Sequence, residues 1–164
     1  MEILCHGATV FTIKVFIENE GHSNRKNIFD EKTLQYIKTT AVTGEYPYPY
    51  GFILNTTGGD GDNVDCFVVT DKPLKSRQIV ECKPIGLLEE IESSWERPGE
   101  QEEDHTVLAT LIGETAIIDE AFKVSMRDFV LHIFDHIPGK KITIGEFLDE
   151  GAAIRYINKC KDKP

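Results

Sequence analysis

A chain of 164 residues, 40% of them hydrophobic, is long enough for one domain with its own core and too short for two ordinary ones. Its formal net charge of −10 excludes nucleic-acid and anionic-membrane binders, which rest on a basic surface. The four cysteines (Cys5, Cys66, Cys82, Cys160) are scattered without a C-x-x-C pair. They exclude a disulfide scaffold and read as reduced thiols of a cytoplasmic protein. Glu2 and Lys14 interrupt what a signal peptide would need, and no run approaches transmembrane length.

From Val10 the residues alternate, with Phe11, Ile13, Val15 and Ile17 against Thr12, Lys14, Phe16 and Glu18. This predicts a half-buried strand with Glu18 at its end. Residues 19–27, with Gly21 and Arg25-Lys26, read as a loop, and residues 33–42 as one or two short strands. In Tyr46-Pro47-Tyr48-Pro49-Tyr50-Gly51 the prolines forbid helix and hold three tyrosines on one face of an extended segment. That pattern favours aromatic packing; the functional alternative is a phenol donating to a phosphate or tuning a carboxylate.

Residues 57–70 hold the densest chemistry. Gly58 and Gly59 precede Asp60, Asp62 and Asp65, and an apolar run from Cys66 follows. Three carboxylates this close repel one another unless a cation neutralises them or one keeps its proton. Oxygen-only donors on a tight turn suit hard divalent ions, Mg²⁺ or Ca²⁺. An EF-hand loop would need an acidic or amide residue at its fifth position and Gly at its sixth, where Val64 and Asp65 stand. An aspartyl-phosphate enzyme would place its Asp-x-Asp after a buried strand, whereas here the apolar run comes after it.

Further strands are predicted at residues 66–69, 79–82, 85–88 and 107–112, a spacing that suggests a small sandwich or barrel. Residues 92–104, rich in acids including Glu92, Glu96 and Asp104, read as a solvated loop. Ser125-Met126-Arg127-Asp128 has capping-box form and opens a predicted helix with Met126, Phe129, Val130 and Ile133 on one face. His132 and His136 lie four apart on it, but no glutamate or third ligand completes a zinc site. Residues 140–144 suggest a strand and residues 146–160 a second helix. The whole chain, 1–164, reads as a single α+β domain.

The order Tyr46-x-x-x-Tyr50-Gly51-Phe52-Ile53, Asn55-Thr56, Asp60-Gly61-Asp62-Asn63-Val64-Asp65 and Lys83-Pro84-Ile85-Gly86 resembles the soluble inorganic pyrophosphatases over the first two thirds of the chain. The resemblance implies an OB-like five-stranded antiparallel β-barrel flanked by C-terminal α-helices. It also implies several Mg²⁺ ions, pyrophosphate and phosphate as ligands, and a homo-oligomer that is commonly a hexamer in bacteria. By position, Asp60, Asp65 and Asp104 would be metal ligands, with Glu92 where the family has an aspartate and Glu18 at an acidic position just outside them. Asp62 would take the proton of the attacking water with Tyr50 nearby, and Lys26, Lys38, Tyr46 and Tyr50 would meet substrate.

The departures lie on the anion side. Thr106 replaces a lysine, Lys38 an arginine and Ile137-Pro138 a Tyr-Lys pair, and residues 93–100 are inserted; Lys140 or Lys141 is a candidate replacement cation. Two other readings stand beside hydrolysis: a divergent relative that binds metal and acts on, or only binds, another phosphorylated compound, and an acidic Ca²⁺ module without chemistry.

Overall fold

The computed structural model describes residues 2–5, 8–94 and 97–164, with residues 2–9 as backbone only. The Cys5 thiol, Glu96 of the acidic run and Trp95 within the 93–100 insertion lie outside the described residues. In chain order the elements are β1 (Glu2–Cys5), β2 (Ala8–Phe11), β3 (Ile13–Asn19), β4 (Arg25–Phe29), β5 (Tyr36–Ala41), β6 (Tyr50–Ile53), β7 (Asp65–Val68), β8 (Ile79–Ser93), β9 (Gln101–Glu103), β10 (Thr106–Leu111), α1 (Glu120–His132), β11 (Ile142–Leu148) and α2 (Glu150–Cys160). Strands β3, β6, β7, β10 and β8 pair in a closed ring, because β10 bonds both β7 and β8. Four of the five junctions are antiparallel and β7–β10 is parallel. Closure leaves these strands without a free edge.

Alternate residues feed separate cores. Cys66 and Val68 of β7 pack with Ala153, Ile157 and Cys160 of α2, while Phe67 packs with Phe122, Met126, Phe129 and Val130 of α1. A strand covered on both sides reads as a continuous apolar run, which is how Cys66-Phe67-Val68 looks in sequence. The half-buried reading of β3 is corrected for the same reason. Only Lys14 is exposed, and Phe16 joins Phe29 and Phe52 in a third cluster with ring centroids 5.0 and 5.1 Å away.

Other boundaries move too. Arg25-Lys26 belongs to β4 and not to a loop. The two strands expected at 79–88 are one 15-residue strand, in which Pro84 is accommodated where the β8–β10 register shifts between Leu108 and Ala109. The acidic loop is cut short, since β8 runs to Ser93 and returns as β9. Helix α1 starts at Glu120, with Asp119 Oδ1 accepting from Phe122 N at 2.8 Å, so Ser125 lies inside it and caps nothing. Helix α2 starts at Glu150 under Asp149, and residues 146–148 complete β11.

Gly51 fixes the approach of β6 to β3. A Cβ there would lie 1.8 Å from the Phe16 carbonyl oxygen, which is backbone and cannot yield. Gly51→Ala is expected to cost more than about 3 kcal/mol in urea unfolding or to prevent folding outright. A near-unchanged urea midpoint would mean that the strands separate freely.

Candidate active site

One cavity of about 560 Å³ lies between the barrel wall, the β4–β5 hairpin and α1, and among the described residues eight carboxylates line it: Glu18, Glu31, Asp60, Asp62, Asp65, Glu90, Glu92 and Asp104. Among the described residues Lys26 and Lys38 are its only lysines. Strand ends deliver these groups. Glu18 stands at the irregularity where β3 breaks register with β6, and Asp65 opens β7 opposite Phe52 and Thr106. Glu90 and Glu92 are two apart on β8 and so share a face, both buried. The bond from Asp104 N to the Glu90 carbonyl, 3.0 Å, brings Asp104 beside them.

The aspartate turn is held from within and from outside. Gly58 N donates to Asp62 O at 2.7 Å and Asp62 N to Asp60 Oδ1 at 3.0 Å, and Gly61 takes a φ of +88° that disfavours a side chain. The tip of the β4–β5 hairpin docks against it. Glu31 Oε1 accepts from Asn63 N at 2.9 Å, while Lys32 Nζ donates to Asn63 Oδ1 at 2.6 Å and Thr56 O at 2.9 Å. The same hairpin pairs Lys26 with Thr40 and Ile28 with Lys38, so both lysines face the cavity.

Burial and crowding keep the carboxyls protonated above their usual range. Burial pushes Glu18 from 4.5 up to about 7 against the pull of Lys26. Glu31 rises to about 9 through burial, then through Glu18 and Asp62. Asp65 and Asp104 rise well above 3.8, chiefly by burial, and their side chains hydrogen-bond to each other, which requires a proton on one of them. Glu90 rises for want of solvent and because Asp104 faces it, although the Thr106 hydroxyl donates to it. Burial alone would lower the Lys26 ammonium, but Tyr46, Glu18, Asp65 and Glu31 together hold it above its ordinary value. Burial, with Asp65 next, drives Tyr50 well above 10, so its phenol stays neutral.

Of the residues marked in the sequence, Glu18, Lys26, Lys38, Tyr50, Asp60, Asp62, Asp65, Glu92 and Asp104 converge on this cavity. Tyr46 does not, and its expected contact with substrate is corrected. It is fully buried and stacked on Tyr50, with ring centroids 5.4 Å apart. His132 and His136 are divided by the end of α1; His132 meets Asp135 at 2.8 Å and His136 meets Thr43 at 3.0 Å. Glu31, Lys32 and Glu90 escaped the sequence reading. Glu90 had a usable signal, since it stands two residues before Glu92 in an apolar strand.

These residues fit a hard divalent cation, being oxygen donors only, several of them buried, and destabilised by one another unless positive charge is added. Among the described residues no three acidic, histidine or cysteine side chains are already drawn together tightly enough to hold an ion. A closed five-stranded barrel carrying such a carboxylate cavity against its wall defines a cation-binding barrel protein. The profile of the family described as inorganic pyrophosphatase matches residues 15–163. An inorganic pyrophosphatase of Nanoarchaeum equitans is 29% identical over 161 residues, covering 92% of this chain and 96% of that protein. One of Aquifex pyrophilus is 29% identical over 118 residues, 70% of this chain and 66% of that protein. The solved inorganic pyrophosphatase of Coxiella burnetii shares the fold at TM-score 0.80 and 21% identity, across 96% of this chain and 97% of that one. This chain belongs to the inorganic pyrophosphatase family, and membership implies a divalent metal cofactor.

Proposed function

We propose that this chain hydrolyses inorganic pyrophosphate to two orthophosphates with Mg²⁺. The observation that carries the reading is the single cavity in which eight carboxylates face two lysines. Such a surface repels a polyanion by itself and accepts one once cations are bound. Asp60, Asp65 and Asp104 would hold the ions, with Glu92 and Glu18 beside them. Bound Mg²⁺ would neutralise the phosphoryl oxygens and make water a stronger acid.

The chain's own groups do the rest. Asp62 is exposed at the cavity mouth, unlike Glu90 and Glu92, so it can meet the attacking water and accept its proton. Lys26 and Lys38 bind and orient the anion from the hairpin. Tyr50, kept neutral, offers a hydroxyl donor.

The family match over residues 15–163 supports one pyrophosphatase-like domain across residues 1–164. A homo-oligomer belongs to the same reading, supported by exposed Ile117 and Val124, 80% and 63% accessible. So does a cytoplasmic location, supported by the unpaired thiols of Cys66, Cys82 and Cys160. Among the described residues no helix is long and apolar enough to cross a membrane.

Phosphorus NMR of pyrophosphate incubated with the purified chain tests the function. Conversion to orthophosphate with Mg²⁺, and none with a chelator, is expected. Mg²⁺ binding without conversion, alongside turnover of another phosphorylated compound, would transfer the assignment to the divergent-hydrolase reading.

A further inference from the structure

Lys26 and Lys38 face the cavity from the β4–β5 hairpin, and a third ammonium reaches one of its carboxylates from the segment that leads into β11. Lys140 precedes β11, and its side chain is only 4% exposed. Its Nζ donates to the Ser93 carbonyl at 2.7 Å and lies 3.6 Å from Glu92 Oε1. It also stands 5.9 Å from the centroid of Phe134, a ring that lines the cavity and that Lys26 Nζ approaches at the same distance. The backbone fixes this arrangement, since Ile142 pairs with Glu92 and Ser93 N donates to Lys141 O at 3.1 Å. A lysine this buried is strongly disfavoured without a countercharge, and Glu92 supplies it.

We infer that Lys140 is a positioning residue that holds Glu92 and competes with the divalent cation for it. An ammonium and a metal ion drawn to one carboxylate repel each other, so Lys140 weakens cation binding at the cavity and releases Glu92 as the ion arrives. The charge it keeps on that wall then faces the anion side of the cavity, where Thr106 carries none. This last point alone rests on the pyrophosphatase reading.

Calorimetric titration with MgCl₂, without pyrophosphate, tests the competition in the full chain. Lys140→Gln is expected to tighten Mg²⁺ binding about 3- to 10-fold, and to have no effect in a Glu92→Gln background. Lys140→Arg should leave the affinity near wild type. Lys140→Met keeps the stem over Phe134 and serves if the glutamine variant does not fold. A structural role alone would lower the melting temperature without tightening Mg²⁺ binding. Unchanged or weaker affinity in Lys140→Gln and Lys140→Met overturns the inference, as does equal tightening when Glu92 is already glutamine. Because the titration contains no pyrophosphate, a chain that fails to hydrolyse it leaves this result intact. If hydrolysis does occur, Lys140→Gln should also raise KM for pyrophosphate.

Discussion

Asp62→Asn lowers phosphate release from pyrophosphate about 10²- to 10⁴-fold, the range expected when a positioned general base is removed, with little change in KM. Asparagine is nearly the same size and cannot accept the proton. Two bonds that hold the turn here use the Asp62 backbone, Asp62 N to Asp60 Oδ1 and Gly58 N to Asp62 O, and are kept in the variant. Asp65→Asn should also collapse turnover, but by a different route. Asp65 is hydrogen-bonded to Asp104 inside the cavity, so its loss weakens metal binding, and excess Mg²⁺ restores part of the rate. Steady-state kinetics at two Mg²⁺ concentrations separates them. An Asp62→Asn enzyme with a rate within threefold of wild type would place the proton acceptor elsewhere in the cavity.

The second large effect is on stability and its dependence on pH. Without metal, Glu18 holds its proton to about 7 and Glu31 to about 9, both above the ordinary 4.5. Both states are protonated below that ordinary value, and the folded state is not penalised there. Above it the unfolded chain gives up protons that the folded chain still holds, so stability falls with rising pH, up to about 7 for Glu18 and about 9 for Glu31. In a chelator the melting temperature should drop on the order of 5–10 °C between pH 6 and pH 9. Millimolar Mg²⁺ should flatten that slope, because the cation supplies the charge that the protons supplied. A melting temperature that is level or rises with pH in chelator would show that the carboxylates do not crowd one another as described.

Much of this was legible in the letters, for identifiable reasons. Asp60, Asp62 and Asp65 are close in sequence, so their mutual repulsion could be argued before any fold was known. Glu18 could be placed at a strand end because β3 alternates up to it. What was hidden depends on contacts between distant segments. Lys32 looks like an ordinary loop lysine until the hairpin tip brings its ammonium to Asn63, 2.6 Å away. Glu90 stands just before the acidic run, and only the extension of β8 to Ser93 shows that it is buried while Ile91 is exposed. The Tyr-Pro-Tyr-Pro-Tyr pattern favoured aromatic packing, which is how Tyr46 sits against the Tyr50 ring; its substrate role came from the family resemblance alone. Helix α1 begins before the expected Ser125 because Asp119 caps it and Phe122 extends the buried face of Met126, Phe129 and Val130 by one turn.

The expected Mg²⁺ dependence of turnover and of stability rests on a divalent-metal site in the carboxylate cavity. Diffraction from crystals soaked in Mn²⁺, recorded near the manganese edge, tests it most directly. Anomalous peaks are expected inside the cavity, in contact with Asp60, Asp65 and Asp104 carboxylate oxygens and lost in Asp65→Asn. Peaks only at surface acids, or an empty cavity at millimolar Mn²⁺, would contradict it.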